Sequence, residues 1–370
     1  MEACSSEPWA GGRDIEGMRT VRNILVIQTA FIGDAVLTLP LVRGVKEFFP
    51  DAHVDVLVTP RAQELFQNHP DIHDAIPFDK RGRDKGLAGL RAIVRLLRGR
   101  SYDLAFVPHR SLRSALVAWL ARIPLRIGFH RSAGRFLLTK SVRYRNDLHE
   151  IDRNLSLLEG IGIMDHPMTL PRLYPSDDDR KAVEKLLFEL EIGDVDRLIA
   201  LAPGTVWNTK RWLKERFASL VVNLDDEGFE VVLVGGEEDR ELCSEVRALS
   251  GSMKVHNTAG RLSLLQSAEL IRRCRLLVSN DSAPMHLAVG VRTPVIAVFG
   301  ATVPEFGFAP RGKFDSVVEI RNLRCRPCSN HGGDRCPIKT FECMTRITHE
   351  RVFHHVMDAL ERTAGPSRLN

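Results

Sequence analysis

Nowhere in the 370-residue chain is there a run of the roughly 18 apolar residues that a membrane-spanning helix needs. The opening stretch, MEACSSEPWAGGRDIEGMRT, lacks the basic start and apolar segment of a secretory leader. Residues 1–19 are therefore expected to be a disordered extension, with Met18 as a more natural start, and the cytoplasm to be the working compartment. No GxxxxGK[ST] is present, which excludes a Walker phosphate loop. No GxGxxG follows a strand, which argues against a nicotinamide enzyme. There is no RNP-like or helix-turn-helix signature, and no aromatics interleave with the basic residues, so nucleic acid is not the expected partner. The acidic runs Asp177–Asp179 and Asp194-Val195-Asp196 sit in segments that read as polar turns, so no metal site is assigned to them.

Acidic residues are almost missing between positions 80 and 145. Seventeen Lys and Arg stand there against Asp84 and Asp103 alone, a local charge of +15 inside a chain whose total is +5. A local imbalance of this size implies an anionic partner: a phosphorylated lipid, an anionic membrane surface or a nucleic acid. Arg outnumbers Lys in it, and Arg suits two-point contact with phosphate. The alternative is a solvated helix face.

What is present is ordinary globular composition, 44% hydrophobic and 27% charged, enough to bury a core. The length suggests two domains. Short β-branched runs at Ile24–Ile27, Val54–Val58 and Leu104–Val107 read as strands, with helical patterns at about 36–48 and 87–97 between them. Pro171 to Asp179 breaks the alternation and reads as a linker. The pattern then restarts with strands at Leu198–Leu201, Glu230–Val234, Leu276–Val278 and Val295–Phe299, and helices at 217–224 and 349–362, the last free to pack on either domain. Strand–helix alternation predicts parallel sheets covered on both faces. The fold class is thus α/β, two doubly wound Rossmann-like domains facing a central cleft. Their ligands belong at the carboxyl ends of the strands.

The loops after the strands carry the chemistry. After the first strand, Gly33 permits a tight turn and Asp34 starts a helix, either as a cap or as a carboxylate placed to take a proton from a hydroxyl. After Leu201, the loop PGTVWNTKRW brings the hydroxyls of Thr205 and Thr209 to the cations Lys210 and Arg211, a set suited to a diphosphate, with Trp207 and Trp212 as apolar anchors. After Val234, Gly235-Gly236-Glu237-Glu238-Asp239 offers a carboxylate for ribose or simply an acidic helix start. After Val278, Asp281 and Ser282 precede a helix whose N–H groups would face an anion, with His286 one turn on. Gly300-Ala301-Thr302 forms another small-residue loop.

Together these loops resemble family 9 of the glycosyltransferases, the lipopolysaccharide heptosyltransferases of GT-B fold. The resemblance runs over about residues 20–365 and rests on Gly33-Asp34, Pro203-Gly204 to Lys210-Arg211-Trp212, Asn280-Asp281-Ser282 to Met285-His286, and Phe299 to Thr302, in that order. The tail Cys325-x2-Cys328-x7-Cys336-Pro337-x5-Cys343 is similar to that of the heptosyltransferase II branch. The resemblance implies an acceptor-binding domain at 20–172, a nucleotide-sugar domain at 173–345 and a C-terminal helix and tail at 346–370. It implies an inverting, metal-independent enzyme with no cofactor. Asp34 would be the base. Thr205, Thr209 and Lys210 would hold the diphosphate of ADP-heptose, and Asp281, Ser282, His286 and Thr302 would complete the donor site. Glu238 or Glu237 would take the ribose. Arg110, Arg113 and Arg131 would meet a lipid A-core acceptor at the cytoplasmic face of the anionic inner membrane. Ala283-Pro284 departs from the Gly that often follows Asp-Ser in the family. Two other readings stay open: a GT-B transferase or epimerase using a different nucleotide sugar, and a non-enzymatic protein binding an anionic polymer. The four late cysteines read as thiols, a zinc site or a disulfide.

Overall fold

The computed structural model describes residues 21–166 and 169–364. The expected N-terminal extension lies outside them. Two six-stranded parallel sheets follow one another along the chain. The first contains β1 (Asn23–Gln28), β2 (His53–Val58), β3 (Asp74–Pro77), β4 (Leu104–Val107), β5 (Leu125–Phe129) and β6 (Lys140–Val142), in the spatial order β3-β2-β1-β4-β5-β6. The second repeats that order with β7 (Leu198–Ala202), β8 (Glu230–Leu233), β9 (Val255–Asn257), β10 (Leu277–Asn280), β11 (Val295–Phe299) and β12 (Ser316–Glu319), arranged β9-β8-β7-β10-β11-β12. The order reverses between β1 and β4 and between β7 and β10. Loops diverge there, and that is where a crevice opens in such sheets.

Continuous apolar strands are what a sheet covered on both faces demands. Side chains alternate between faces, so each strand feeds two cores. Ile24 and Val26 of β1 and Leu198 and Ala200 of β7 enter one shared cluster, which spans both sheets. Leu25 and Ile27 enter a cluster on the outer face of the first sheet, and Ile199 and Leu201 one on the outer face of the second.

The principal helices are α1 (Ile32–Phe48), α2 (Gly86–Gly99), α3 (Leu112–Leu120), α4 (Glu150–Leu155), α5 (Asp177–Glu189), α6 (Lys214–Asp226), α7 (Arg240–Ser250), α8 (Leu264–Arg273), α9 (Ala283–Gly290) and α10 (His349–Ala364). The linker expectation needs a correction. Asp177–Asp179 is the first turn of α5, not a polar turn. Ser176 caps it, accepting from the Asp179 amide at 3.1 Å while Asp179 accepts back from the Ser176 amide at 2.8 Å. Helix α10 packs on β11, β12 and α6 of the second sheet.

Helix α1 is buried on every side from Ala35 to Val42, because it lies between the first sheet and α9 of the second unit. Other contacts join the two units. The Glu64 carboxylate caps α8 from the opposite unit, accepting from the Leu264 and Leu265 amides at 3.1 and 2.9 Å and from the Ser263 hydroxyl. At the start of α4, the Glu150 amide donates to Gly307 at 2.8 Å, the His149 ring to Ala309 at 2.9 Å, and Arg153 to the Phe306 carbonyl. Arg311 pairs with Asp152 at 2.7 Å.

Glu64→Ala removes a helix cap supplied across the junction. The expected loss is about 0.5–2 kcal/mol, measured as a lower urea midpoint; an unchanged midpoint would show that the cap adds nothing to the union of the two units.

Candidate active site

Lys210 and Asp281 form the centre of the second sheet's switch point. The Lys210 ammonium stands 2.6 Å from Asp281, with both side chains largely buried. The same Asp281 oxygen accepts the Thr302 hydroxyl at 2.7 Å. Behind Thr302, the buried Arg326 guanidinium donates to the carbonyls of Thr302 and Ile320, each at 2.7 Å, to that of Gly300, and to the Glu319 carboxylate at 2.8 Å. The loops after β10 and β11 are therefore tied by one polar chain.

The loop after β7 is held as tightly. Buried Asn280 accepts the Trp212 amide at 2.9 Å and donates to Pro203 at 2.8 Å, closing both ends of the loop onto β10. Trp212 is fully buried, stacks edge-on against Phe217 and donates its indole N–H to Ile347 at 3.0 Å. It is an anchor, as expected of it. Trp207 is only half-buried. Thr209 is buried, and its hydroxyl accepts the Gly333 amide at 2.8 Å. That hydroxyl holds protein rather than facing the cleft. The Thr205 carbonyl accepts from Arg211 at 2.8 Å.

Of the acidic trio after β8, Asp239 turns inward. Its carboxylate accepts the Gly236 amide at 3.0 Å and lies so close to Gly204 that a Cβ there would fall 2.0 Å from it. Burial raises its carboxyl above the ordinary value, against the Gly236 amide and the Arg211 charge. Glu238 points outward and pairs with Arg61 of the first unit at 3.2 Å; Glu237 pairs with Arg240 at 2.5 Å. The carboxylate of this trio that faces inward is thus neither Glu237 nor Glu238. The missed signal was that Asp239, third from Gly236, has the spacing of a residue that reaches back to cap the turn.

Ser282 is the N-cap residue of α9, and Pro284 sits in its first turn, where a missing N–H costs nothing. Neither Ala283 nor Pro284 has a positive φ, so the departure from glycine imposes no strain on this loop. His286 is buried, and its ring abuts Gly33 of the opposite unit: a Cβ at Gly33 would lie 2.6 Å from its Cδ2. Only glycine permits that approach. Burial lowers the imidazole to about 4, so it is neutral near pH 7.

This contact brings Asp34 to the second unit. Asp34 is the third residue of α1, not its N-cap; Phe31 occupies that position, and its amide donates to the Asp34 carboxylate at 3.2 Å. Burial raises the Asp34 carboxyl. The Phe31 amide, its own amide and the charges of His331 and Lys210 oppose the rise. A carboxyl raised in this way is a stronger base once ionised.

The basic segment divides into engaged and free groups. Arg113 donates to the carbonyls of Lys80 at 3.1 Å and Asp84 at 2.8 Å, so its guanidinium fastens the 80–84 loop. Arg100 bridges Asp55 and Asp74. Exposed Arg110 stacks over Tyr144 at 4.1 Å. Arg131 lines an open pocket of about 340 Å³ with His130, Arg143, Tyr144 and Arg145. Arg110, Arg131 and Arg143 have no ion-pair partner among the described residues.

The cysteines that are described carry free thiols, so no disulfide joins them. Cys336 is held below its ordinary value by the amides of residues 338–341, although burial opposes this. No cluster suited to a metal ion occurs among the described residues, and no helix there is long and apolar enough to cross a membrane.

Two Rossmann-like units, with the buried Lys210–Asp281 pair at the switch point of one and the raised Asp34 carboxyl on the other, make a GT-B architecture. A family model described as glycosyltransferase family 9 (heptosyltransferase) matches residues 90–335, and the chain belongs to that family. Lipopolysaccharide heptosyltransferase 2 of Escherichia coli K12 is 30% identical over 296 residues, covering 76% of this chain and 84% of that protein. The solved E. coli ADP-heptose lps heptosyltransferase II superposes with a TM-score of 0.78 at 27% identity, covering 93% of this chain and 100% of that one. The glycosyl transferase family 9 structure from Veillonella parvula gives a TM-score of 0.83 at 24% identity over 92% of this chain and 98% of that one, a likeness of fold.

Asp281→Ala leaves the Lys210 charge buried without a partner. The expected destabilisation is about 3–5 kcal/mol. Adding Lys210→Met should recover most of it in a double-mutant cycle. Additive losses would mean the two side chains are not coupled.

Proposed function

We propose that this chain transfers heptose from ADP-L-glycero-D-manno-heptose to the inner core of lipopolysaccharide, on a heptosyl-Kdo2-lipid A-type acceptor. The observation that carries the reading is the meeting of a raised carboxyl, Asp34, with the Lys210–Asp281 centre of the opposite unit. The names of the relatives support the sugar and the acceptor. In this reading residues 20–172 take the acceptor and 173–345 the donor.

Asp34 removes the proton of the acceptor hydroxyl. That oxygen attacks the anomeric carbon from the face opposite the diphosphate, the new glycosidic bond forms, and the bond to the phosphate oxygen breaks with its electron pair leaving on ADP. Attack from the opposite face inverts the anomeric centre. Lys210 and the N-terminal amides of α9 offset the charge on the departing diphosphate, the task a divalent metal performs in other transferases. Asp281 and Thr302 hold Lys210 in place. Ser282 and Thr205 face donor oxygens, and Thr209 fastens the loop that carries Thr205. His286 closes the floor beside Gly33. Asp239 is better placed than Glu238 to meet the ribose. Arg110 and Arg131 receive anionic groups of the acceptor, and Arg113 shapes the loop next to them. The exposed cations of this face favour a peripheral position at the anionic cytoplasmic surface of the inner membrane.

Incubation with ADP-heptose and a heptosyl-Kdo2-lipid A acceptor should yield a product one heptose heavier by mass spectrometry, and no mass gain would sink the reading. Asp34→Asn should abolish transfer while leaving ADP affinity unchanged in calorimetry; loss of ADP binding would contradict its role as base. Since the base works ionised and burial raises its carboxyl, kcat/KM should fall as pH drops through a limb above the ordinary carboxylate value of about 3.9. A limb at or below that value would remove Asp34 from the role.

A further inference from the structure

The segment from Leu323 to Phe341 leaves the second sheet after β12 and returns over the loop that follows β7. It is tied down at several points. Arg326 grips Gly300, Thr302 and Ile320, and the Cys328 amide donates to Ala301 at 3.0 Å. Further on, Gly333 exchanges two hydrogen bonds with Thr209: its amide donates to the hydroxyl at 2.8 Å and its carbonyl accepts the Thr209 amide at 2.9 Å. Between these anchors runs a turn, Ser329-Asn330-His331-Gly332, closed on itself by Ser329. The Ser329 hydroxyl accepts the Gly332 amide at 2.8 Å and lies 2.9 Å from the Gly332 carbonyl.

The turn rests on the aliphatic stem of Lys210. A Cβ at Gly332 would fall 2.9 Å from both Cγ and Cδ of Lys210 and 3.1 Å from Cβ of Trp207. Gly332 also has φ +87°, a conformation that favours glycine. Glycine thus lets this turn lie flat on the lysine that the reading above assigns to the diphosphate. The next residue back, His331, is exposed, and its imidazole has no hydrogen-bond or ion-pair partner among the described residues.

Two further observations concern charge. Lys210 is already matched by Asp281 at 2.6 Å, so its charge is shared between Asp281 and a leaving diphosphate. And His331, like Lys210, lies close enough to Asp34 to oppose the rise of its carboxyl. His331 therefore sits on a turn packed over the β7 loop of one unit and within electrostatic reach of the carboxylate of the other.

We propose that the Ser329–Gly333 turn is a clasp over the donor site, and that His331 is a further substrate-binding residue whose ring N–H donates to a phosphoryl oxygen of the nucleotide diphosphate. The inference rests on the sugar-transfer reading given above. An N–H donor supplied by the clasp would add to what Lys210, its charge shared with Asp281, offers at the place where negative charge develops as the bond to phosphate breaks.

The test uses the full chain, ADP as the probe for binding, and the variants His331→Leu and His331→Gln. ADP affinity is read by calorimetry, transfer by steady-state kinetics, and folding by thermal melting. His331→Leu is expected to weaken ADP binding and to lower kcat/KM by about 10- to 100-fold, the scale of losing one charge-assisted hydrogen bond to the leaving group, with an unchanged melting temperature. His331→Gln, which keeps an N–H donor, is expected to recover most of the loss. If His331→Leu leaves ADP affinity and kcat/KM within about twofold, less than any such bond contributes, the proposal is overturned. It is equally overturned if Leu and Gln are impaired alike and both melt earlier, because the turn would then matter only for folding. If the unsubstituted protein fails to bind ADP, the donor reading itself falls, and the proposal with it; that failure is visible before any variant is made.

Discussion

A lysine and an aspartate held 2.6 Å apart, and nearly out of water, form the interaction on which the rest of the site depends. Two opposite charges in a poorly solvated place are tolerated only when each is fixed and further hydrogen-bonded. That requirement accounts for the surroundings. Thr302 supplies a second donor to Asp281, Arg326 fixes Thr302, and Asn280 closes the loop on which Lys210 rides. Four loops from four strands are thereby drawn to one point. Arg326 belongs to the cysteine-containing segment, so that segment takes part in building the pair although it is remote from the β7 loop in sequence.

The second constraint is the placement of α1. A helix buried all round has to be covered on the side away from its own sheet, and here α9 covers it. The closest approach is at Gly33, where the His286 ring occupies the space a side chain would need. This contact sets how near Asp34 comes to the Lys210–Asp281 centre. The grips at Glu64 and at His149–Arg153 act on the same junction from other points of its perimeter. On the proposed mechanism, the distance between base and leaving group is therefore a property of the junction between the units and not of either sheet alone.

Much of the architecture is legible from local pattern. Apolar β-branched runs mark β1, β2, β4, β7, β8, β10 and β11 because buried parallel strands face apolar neighbours on both sides. The short edge strands β3, β6, β9 and β12 carry weaker patterns, since an edge strand has one neighbour and more contact with water. The candidate loops were legible for the same reason as the central strands: in a doubly wound sheet they must follow those strands. The direction in which a loop side chain points was not legible. Thr209 and Arg113 have the chemistry of ligand groups, yet their polar atoms meet Gly333 and the carbonyls of Lys80 and Asp84. Glu238 and Asp239 are adjacent carboxylates, and a capping bond to Gly236 turned only the second inward.

Residue order alone thus determined that this chain folds as two parallel α/β units, with an anion-suited loop after β7 and a carboxylate after β1, because strand burial, helix capping and glycine placement act over a few residues. The local charge of +15 between positions 80 and 145 was equally a property of the sequence. Tertiary structure decided which of those charges remain free, which acidic residue faces inward, and that the turn carrying His331 packs on Lys210. These depend on contacts such as Arg113 with the 80–84 loop, Glu238 with Arg61 and Gly332 with Lys210, where a side chain's partner is set by packing and not by its neighbours in the chain.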